Sequence, residues 1–120
     1  MIKGIGIDII ELSRIRKSIQ KNNRLGERVL TAPEMTLYKS LTNDLRKTEY
    51  LAGRFAAKEA FSKAVGSGIG KISFKDIQIM PDANGAPKMN VGGYEHLHIF
   101  ISITHSRDYA VAQVVLEEKD

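Results

Sequence analysis

The chain has 120 residues, of which 42% are hydrophobic and 27% charged, a balance typical of a soluble globular protein with one modest core. It contains no cysteine, which excludes disulfides and thiolate metal sites, so any metal must be held by oxygen or histidine ligands. The formal net charge of +4 favours an acidic partner, such as nucleic acid, anionic lipid, a phosphorylated small molecule or an acidic protein, without choosing among them.

The chain opens with a predicted strand and a basic helix. Apolar residues alternate with small or polar ones along residues 2–9, IKGIGIDI, which is typical of a strand. Apolar residues then recur at helical spacing from Ile10 to Ile19, which predicts a helix over about 11–21. The exposed side of that helix and the segment after it carry the basic residues Arg14, Arg16, Lys17, Lys21, Arg24 and Arg28.

Two further helices are predicted in the middle of the chain. The Thr-Ala-Pro-Glu sequence at 31–34 is a capping signal for a short helix over about 32–41. Asn43, followed by an aspartate, offers an N-cap for a long helix that reaches Val65. Gly66 is a natural stop for that helix, because glycine adopts the left-handed conformation without a Cβ clash.

From residue 71 onward the pattern becomes that of β-structure. A first apolar strand leads into the turn cluster PDANGAP, and a strand over about 87–91 would close a hairpin. Two more strands are predicted at 99–104 and 109–117. The whole pattern predicts one α+β domain over residues 1–120, with an N-terminal strand, a helical middle and a C-terminal antiparallel sheet.

The sequence also predicts where the protein works. No apolar run approaches the roughly 18–20 residues that a membrane span needs, so we predict no membrane segment. The apolar part of MIKGIGIDII is too short for a signal peptide, and no small-residue cleavage site follows it. We therefore expect a cytoplasmic protein.

The end of the long helix carries charges in an apolar setting. At 3.6 residues per turn, Lys58, Glu59, Ser62 and Lys63 are predicted to project from one side. A solvated face with a Glu59–Lys63 pair is the simpler interpretation. The neighbouring alanines and phenylalanines, however, predict a packed helix, in which charges need partners. The GSGIG segment that follows offers backbone N–H groups to an anion, but the helix dipole opposes one there, so the lysines must supply positive charge.

Asp8 and His105 each allow a structural and a functional interpretation. Asp8 ends the first strand, where it could be a helix N-cap or could join Glu59 in a Mg²⁺ site, since two carboxylates in a cysteine-free chain suit that ion. His105 follows a strand end, where functional side chains are easily presented. His96 and His98 have metal-like spacing without an evident third ligand, and we interpret them as structural.

Three blocks of the sequence, taken together, resemble one known family. The blocks are GIGIDIIE at 4–11, YLAGRFAAKEAFSKAVGSGIG at 50–70 and ISITHSRDYAVA at 101–112. The second contains a Lys-Glu-Ala-x-x-Lys core, and the third a Ser-x-Ser/Thr-His block. In this order and spacing they resemble the holo-acyl-carrier-protein synthase family, the bacterial group of 4′-phosphopantetheinyl transferases, and the resemblance covers nearly the whole chain.

The resemblance implies transfer of 4′-phosphopantetheine from coenzyme A to a serine of apo-acyl carrier protein, releasing adenosine 3′,5′-bisphosphate, in support of fatty acid biosynthesis. By the same resemblance, Asp8 and Glu59 would hold Mg²⁺, and Lys63 would stabilise or protonate the leaving phosphate. The base that activates the serine stays open between a metal-bound water and Glu59. The residues that would bind coenzyme A are Arg54, Lys58, Ser62, Gly66, Gly68 and His105.

The resemblance also implies partners. Acyl carrier proteins are acidic, and the residues that would contact one are Arg14, Lys17, Lys21 and Arg24. The short subgroup of the family implies a homotrimer with active sites between subunits. Gln113 falls between two valines on one face of the last strand, where it is either satisfied within the subunit, exposed, or placed at a subunit interface.

A second class of function fits part of the pattern. A non-enzymatic basic module that binds a nucleotide or nucleic acid would explain the net charge and the glycine-rich segment. It would not explain two carboxylates, Asp8 and Glu59, near a phosphate site. We therefore predict no nucleic-acid partner.

Overall fold

The computed structural model describes residues 1–66 and 72–120, and the predicted α+β class is confirmed. In those ranges a 3₁₀ turn at Phe74–Asp76 precedes the C-terminal strands. The elements, in chain order, are β1 (Ile2–Glu11), α1 (Leu12–Lys21), α2 (Arg24–Val29), α3 (Ala32–Ser40), α4 (Asp44–Val65), β2 (Ile77–Pro81), β3 (Pro87–Val91), β4 (Leu97–His105) and β5 (Tyr109–Glu118).

The main sheet joins the two ends of the chain. Its strand order is β1-β5-β4, antiparallel throughout, with Ile7 opposite Gln113 and Gln113 opposite Ser102. Strands β2 and β3 pair only with each other, as a separate two-stranded sheet. The predicted strands are therefore present, but the C-terminal sheet takes the N-terminal strand as its edge and leaves the β2–β3 hairpin outside.

The predicted helix ends are confirmed where side chains cap them. In α3 the Thr31 hydroxyl accepts from the Glu34 backbone N–H at 3.5 Å, and Glu34 Oε1 accepts from the Thr31 N–H at 2.8 Å. Asn43 accepts from a backbone N–H at the start of α4, and Gly66 ends that helix at φ 86°. Helix α2 was not predicted, and its N-cap makes no side-chain hydrogen bond. Among the helices of the described ranges, none is both long and apolar enough to cross a membrane.

Close contact between β1 and α4 forms the centre of the fold. The sheet face toward α4 is built mainly from small or apolar residues, and buried alanines of α4, such as Ala60 and Ala64, pack against it. A Cβ on Gly4 would overlap the carbonyl oxygen of Ala64, and one on Gly6 would overlap that of Ala60. The glycines therefore let the strand backbone touch the helix backbone, which brings the end of β1 beside the last turns of α4.

We expect Gly6→Ala to destabilise the protein by about 1–3 kcal/mol, because the added methyl group forces β1 away from α4. Chemical denaturation measures this directly. Gly92→Ala is the matched control, since a Cβ at Gly92 meets no described atom within 4 Å. Equal midpoints for the two variants would contradict the close packing of β1 on α4.

Candidate active site

The end of β1 and the last turns of α4 bring together two carboxylates and a lysine. Lys63 Nζ lies 2.8 Å from Asp8 Oδ1 and 3.1 Å from the carbonyl oxygen of Ile7. The Asp8 side chain is 15% exposed and that of Lys63 is 54% exposed, so the ammonium holds the aspartate and still faces solvent. Of its three N–H donors, two have acceptors among residues 1–66 and 72–120, and the third has none in those ranges.

Glu59 completes this cluster. Burial raises the pKa of its carboxyl, and the negative charge of Asp8 raises that pKa further, whereas Lys63 and Arg28 lower it. The two carboxylates therefore lie close enough to repel each other. A divalent cation held by oxygen ligands would relieve this repulsion, and the donor set suits Mg²⁺, which usually keeps waters and phosphate oxygens in its shell.

The protein supplies only part of such a shell. Within 1–66 and 72–120, no group of three or more acidic or histidine side chains could hold a metal ion. Asp8 and Glu59 would thus be the protein ligands, with the remaining positions left to water and substrate. His96 stacks on Tyr94 with ring centroids 6.2 Å apart, and the structural interpretation of His96 and His98 stays a prediction.

Arg54 and His105 lie in a second, separate cleft. His105 Nδ1 is 3.2 Å from Glu49 Oε2, and the Arg54 guanidinium carbon lies 4.3 Å from the centre of the Tyr50 ring. Both residues line a cavity of about 530 Å³, which Arg46 also borders. The Arg54 Nε is buried, and no described residue accepts a hydrogen bond from it. The cleft therefore offers positive charge and an unused donor to an anionic ligand.

The two clusters face different directions. Arg54 and Glu59 are five residues apart on α4, so at 100° per residue their side chains project about 140° apart around the helix axis. The cleft at Arg54 and the carboxylates at Glu59 consequently lie on nearly opposite sides of α4 within one subunit.

Lys58 requires a correction. Its side chain is fully buried, and its ammonium lies 2.6 Å from Glu34 Oε1, 2.7 Å from the Val29 carbonyl oxygen and 3.1 Å from the Phe74 carbonyl oxygen. All three donors are used, so the predicted contact with coenzyme A is wrong for this side chain. Burial lowers the pKa of Lys58, and the Glu34 carboxylate opposes that shift.

Ser62 requires the same correction. It is buried, and its hydroxyl donates to the Lys58 carbonyl oxygen at 3.2 Å, one turn earlier on α4. Lys58 and Ser62 form one stripe that faces the interior, whereas Glu59 and Lys63 form the neighbouring stripe that faces Asp8. The four residues therefore do not project from one side, because a step of one residue turns the side chain by about 100°.

Glu34 is the residue that the sequence interpretation missed. It was assigned only to the N-terminal cap of α3, yet its carboxylate also accepts from Lys58 and, through Oε2, from the Ile79 N–H at 2.7 Å. The signal was present: a glutamate in a capping box uses one oxygen, and a buried lysine elsewhere needs an anion. Sequence alone does not pair residues 24 positions apart.

The predicted basic surface is present and exposed. It consists of Arg14, Lys17, Lys21 and Arg24 on α1 and at the start of α2. Arg28 continues it on α2, where its guanidinium carbon lies 5.7 Å from the centre of the Phe74 ring. Gly66 is described as the end of α4, whereas Gly68 lies outside the described residues and its assignment stays a prediction.

Residues 4–114 match the 4′-phosphopantetheinyl transferase superfamily. The chain belongs to this superfamily. A holo-(acyl-carrier-protein) synthase of Oceanobacillus iheyensis is 57% identical over 120 residues, covering 100% of both proteins. One of Geobacillus sp. is 54% identical over 118 residues, covering 98% of each. The resemblance drawn from the three sequence blocks is confirmed, and so is the prediction that the protein is an enzyme, which the alternative of a non-enzymatic module does not accommodate.

Solved structures of the superfamily have the same fold. A crystal structure of holo-(acyl-carrier-protein) synthase from Bacillus anthracis, in complex with CoA (3′,5′-ADP), gives a TM-score of 0.90 at 52% identity and covers 99% of each chain. One from Helicobacter pylori, in complex with coenzyme A, gives a TM-score of 0.81 at 37% identity and covers 94% of this chain and 99% of that one.

Proposed function

We propose that this phosphopantetheinyl transferase moves the 4′-phosphopantetheine group from coenzyme A to a serine of apo-acyl carrier protein and releases adenosine 3′,5′-bisphosphate. The observation that carries the proposal is the meeting of Asp8, Glu59 and Lys63 where β1 touches α4. It is supported by 57% sequence identity, over the full length, to a holo-(acyl-carrier-protein) synthase. It is also supported by similarity to a structure that contains coenzyme A.

Mg²⁺ is the proposed cofactor, with Asp8 and Glu59 as its protein ligands. When bound there, it would neutralise charge on the pyrophosphate oxygens during transfer. The two carboxylates support this assignment, because the charge of Asp8 raises the pKa of Glu59, and a bound cation would relieve that repulsion.

Lys63 and Glu59 supply the groups for the chemical step. The serine oxygen forms a bond to the β-phosphorus of coenzyme A as the bond from that phosphorus to the bridging oxygen breaks. Lys63 has one donor that no described residue uses, which suits it to stabilise the charge on the departing phosphate. Glu59, whose carboxyl feels the charge of Lys63, is a candidate acceptor of the serine proton.

The cleft at Arg54 and His105 is the proposed coenzyme A site. Its arginines and the unused Arg54 Nε suit a phosphate-bearing ligand, because a guanidinium pairs with phosphate oxygens in a fixed geometry. Gly66 and Gly68 stay predicted contacts of coenzyme A; Gly66 ends α4, twelve residues after Arg54. Lys58 and Ser62 are not part of this site.

The basic surface on α1 and α2 is the proposed docking site for the carrier protein. Arg14, Lys17, Lys21 and Arg24 are exposed and share one sign, which suits an acidic partner and steers its approach. Their predicted role follows from charge complementarity, and it deepens the transferase assignment by naming the chemistry of the second substrate.

A homotrimer with active sites between subunits is the proposed assembly. The sheet face turned away from α4 exposes three isoleucines of β1: Ile5 is 60% exposed, Ile7 58% and Ile9 59%. Phe100, 53% exposed, adds to the same face from β4. A contiguous apolar face of this kind suits association. The assembly would also bring the Arg54 cleft of one subunit to the Glu59 side of another, which the 140° separation does not allow within one chain.

The remaining proposals follow from this activity. Residues 1–120 would act as one phosphopantetheinyl transferase domain in the cytoplasm, and holo-acyl carrier protein would serve fatty acid biosynthesis. Neither a nucleic acid nor a membrane is proposed as a partner.

We expect the purified protein to increase the mass of apo-acyl carrier protein by one phosphopantetheine group when coenzyme A and Mg²⁺ are present. Mass spectrometry of the intact carrier measures the gain. A carrier whose acceptor serine is replaced by alanine, and a reaction with chelator, are the controls. No mass gain in the complete reaction would reject the transferase assignment, and nucleic-acid binding without transfer would favour the non-enzymatic alternative.

A further inference from the structure

The buried Glu34–Lys58 pair is a cluster of charge that the proposed reaction does not use directly. Both side chains are fully buried, and the nitrogen and oxygen lie 2.6 Å apart. Removing such charges from water is costly, and a buried ion pair is often no more stabilising than apolar residues of similar size. Its retention therefore calls for a role beyond stability, and the contacts of the pair indicate one.

Lys58 draws together the two chain segments that frame Arg28. Its ammonium donates to the carbonyl oxygen of Val29, the residue after Arg28, at 2.7 Å. It also donates to the carbonyl oxygen of Phe74 at 3.1 Å, and the Phe74 ring lies 5.7 Å from the Arg28 guanidinium carbon. One ammonium thus fixes both the backbone beside Arg28 and the aromatic ring on which Arg28 rests.

Glu34 holds Lys58 in that position. Its carboxylate is itself fixed by the Thr31 N–H at 2.8 Å and the Ile79 N–H at 2.7 Å, so it connects α3 and β2 to α4. Lys58 precedes Glu59 in the chain, and Arg28 lies near enough to Glu59 for its positive charge to act on that carboxyl. The network therefore ends at the side of α4 where the phosphoryl group would react.

We propose that Glu34 and Lys58 are positioning residues that set Arg28 at the Glu59 end of the basic surface, where Arg28 binds acidic groups of the carrier protein close to its acceptor serine. Lys58 then acts on the reaction through Arg28 and does not touch coenzyme A. This inference rests on the proposed function, because it assigns Arg28 to the docking of the second substrate.

The test is a pair of double-mutant cycles read by carrier-protein binding. Apo-carrier affinity is measured without coenzyme A, by fluorescence anisotropy of labelled carrier, for Lys58→Met, Arg28→Gln and their combination. We expect a coupling factor of about five or more. Without Lys58 to fix the Val29 backbone and Phe74, Arg28 should contribute little to carrier binding. The matched cycle of Lys58→Met with Arg14→Gln should be additive to within about twofold, since no described contact links Lys58 to Arg14.

Two further readouts separate positioning from its alternatives. Calorimetry with coenzyme A should give equal affinity for the wild type and Lys58→Met, and KM for the carrier should rise more than kcat falls. A lower coenzyme A affinity, or additive behaviour in both cycles, overturns the proposal. Glu34→Gln is the milder variant should Lys58→Met fail to fold, because its amide oxygen can still accept from one backbone N–H, and it should show the same coupling to Arg28.

These outcomes are distinct from those of the transferase assignment. A wild-type protein that adds no mass to the carrier refutes the proposed function. A wild-type protein that is active, with additive cycles at Arg28, refutes the positioning role alone.

Discussion

Glu59→Gln and Asp8→Asn are each expected to lower kcat by about 10²–10³-fold or more, because each removes a charge that would hold the metal at the reacting phosphates. Both substitutions keep the size of the side chain, and both positions border solvent, so the fold should survive. Asp8→Asn also releases Lys63 from its 2.8 Å ion pair, and it should therefore disturb the leaving-group side as well.

Transfer rates at a series of Mg²⁺ concentrations measure the effect, with thermal unfolding as the check on folding. Glu118→Gln is the matched control, because it makes the same carboxylate-to-amide change in an exposed pair with Lys3. We expect that control to keep wild-type rates. Near-normal activity of either site variant at limiting Mg²⁺ would remove that carboxylate from the metal site.

Local signals in the sequence predicted much of the fold. The capping box at residues 31–34 and the left-handed Gly66 depend only on residues close by in the chain. The helix ends that they predict are therefore present in the structure. The alternation along 109–117 likewise predicted which side chains of β5 share a face, and one of the two faces is buried. Helix α2 was missed for two reasons. Its six residues are too few to show a helical periodicity, and its N-cap residue makes no side-chain hydrogen bond with the described residues.

Long-range pairing was harder to predict. Nothing local in residues 2–9 specifies that they pair with the last strand, since β1 and β5 are separated by almost the whole chain. The same limit explains Lys58: helical spacing placed it near Glu59, but only the fold reveals Glu34 as its partner. Two adjacent helix positions can therefore belong to different parts of the protein, one to the interior and one to the site.

Part of the candidate site was likewise predictable from sequence, and part needed the fold. Asp8 and Glu59 were paired from sequence by chemistry, as two carboxylates without cysteine, and the structure places their charges near each other. That pairing rested on the chemistry of the two side chains and needed no knowledge of topology. The separation of the Arg54 cleft from Glu59 needed the helix geometry, and it is the reason that the proposed trimer would matter for activity.

Gln113→Glu is expected to dissociate the proposed trimer and to abolish transfer at the same time. Gln113 is exposed on the outward face of the main sheet, opposite Ile7 of β1 and Ser102 of β4. Val111 and Val115 lie on the same face of β5, so the amide lies between two apolar side chains of its own strand. Burying this patch between three subunits would bring three added negative charges together in a low dielectric, where like charges repel strongly.

Light scattering at micromolar concentration measures the assembly, and the carrier mass gain measures activity in the same samples. Asn90→Asp is the matched control, because it makes the same amide-to-carboxylate change at an exposed position of β3, which is not a strand of the main sheet. A mixture of inactive Gln113→Glu with Glu59→Gln subunits should stay inactive, since the first cannot assemble to share its intact site. A Gln113→Glu protein that stays trimeric and fully active would instead place the subunit contact elsewhere and leave the exposed isoleucines without an assigned partner.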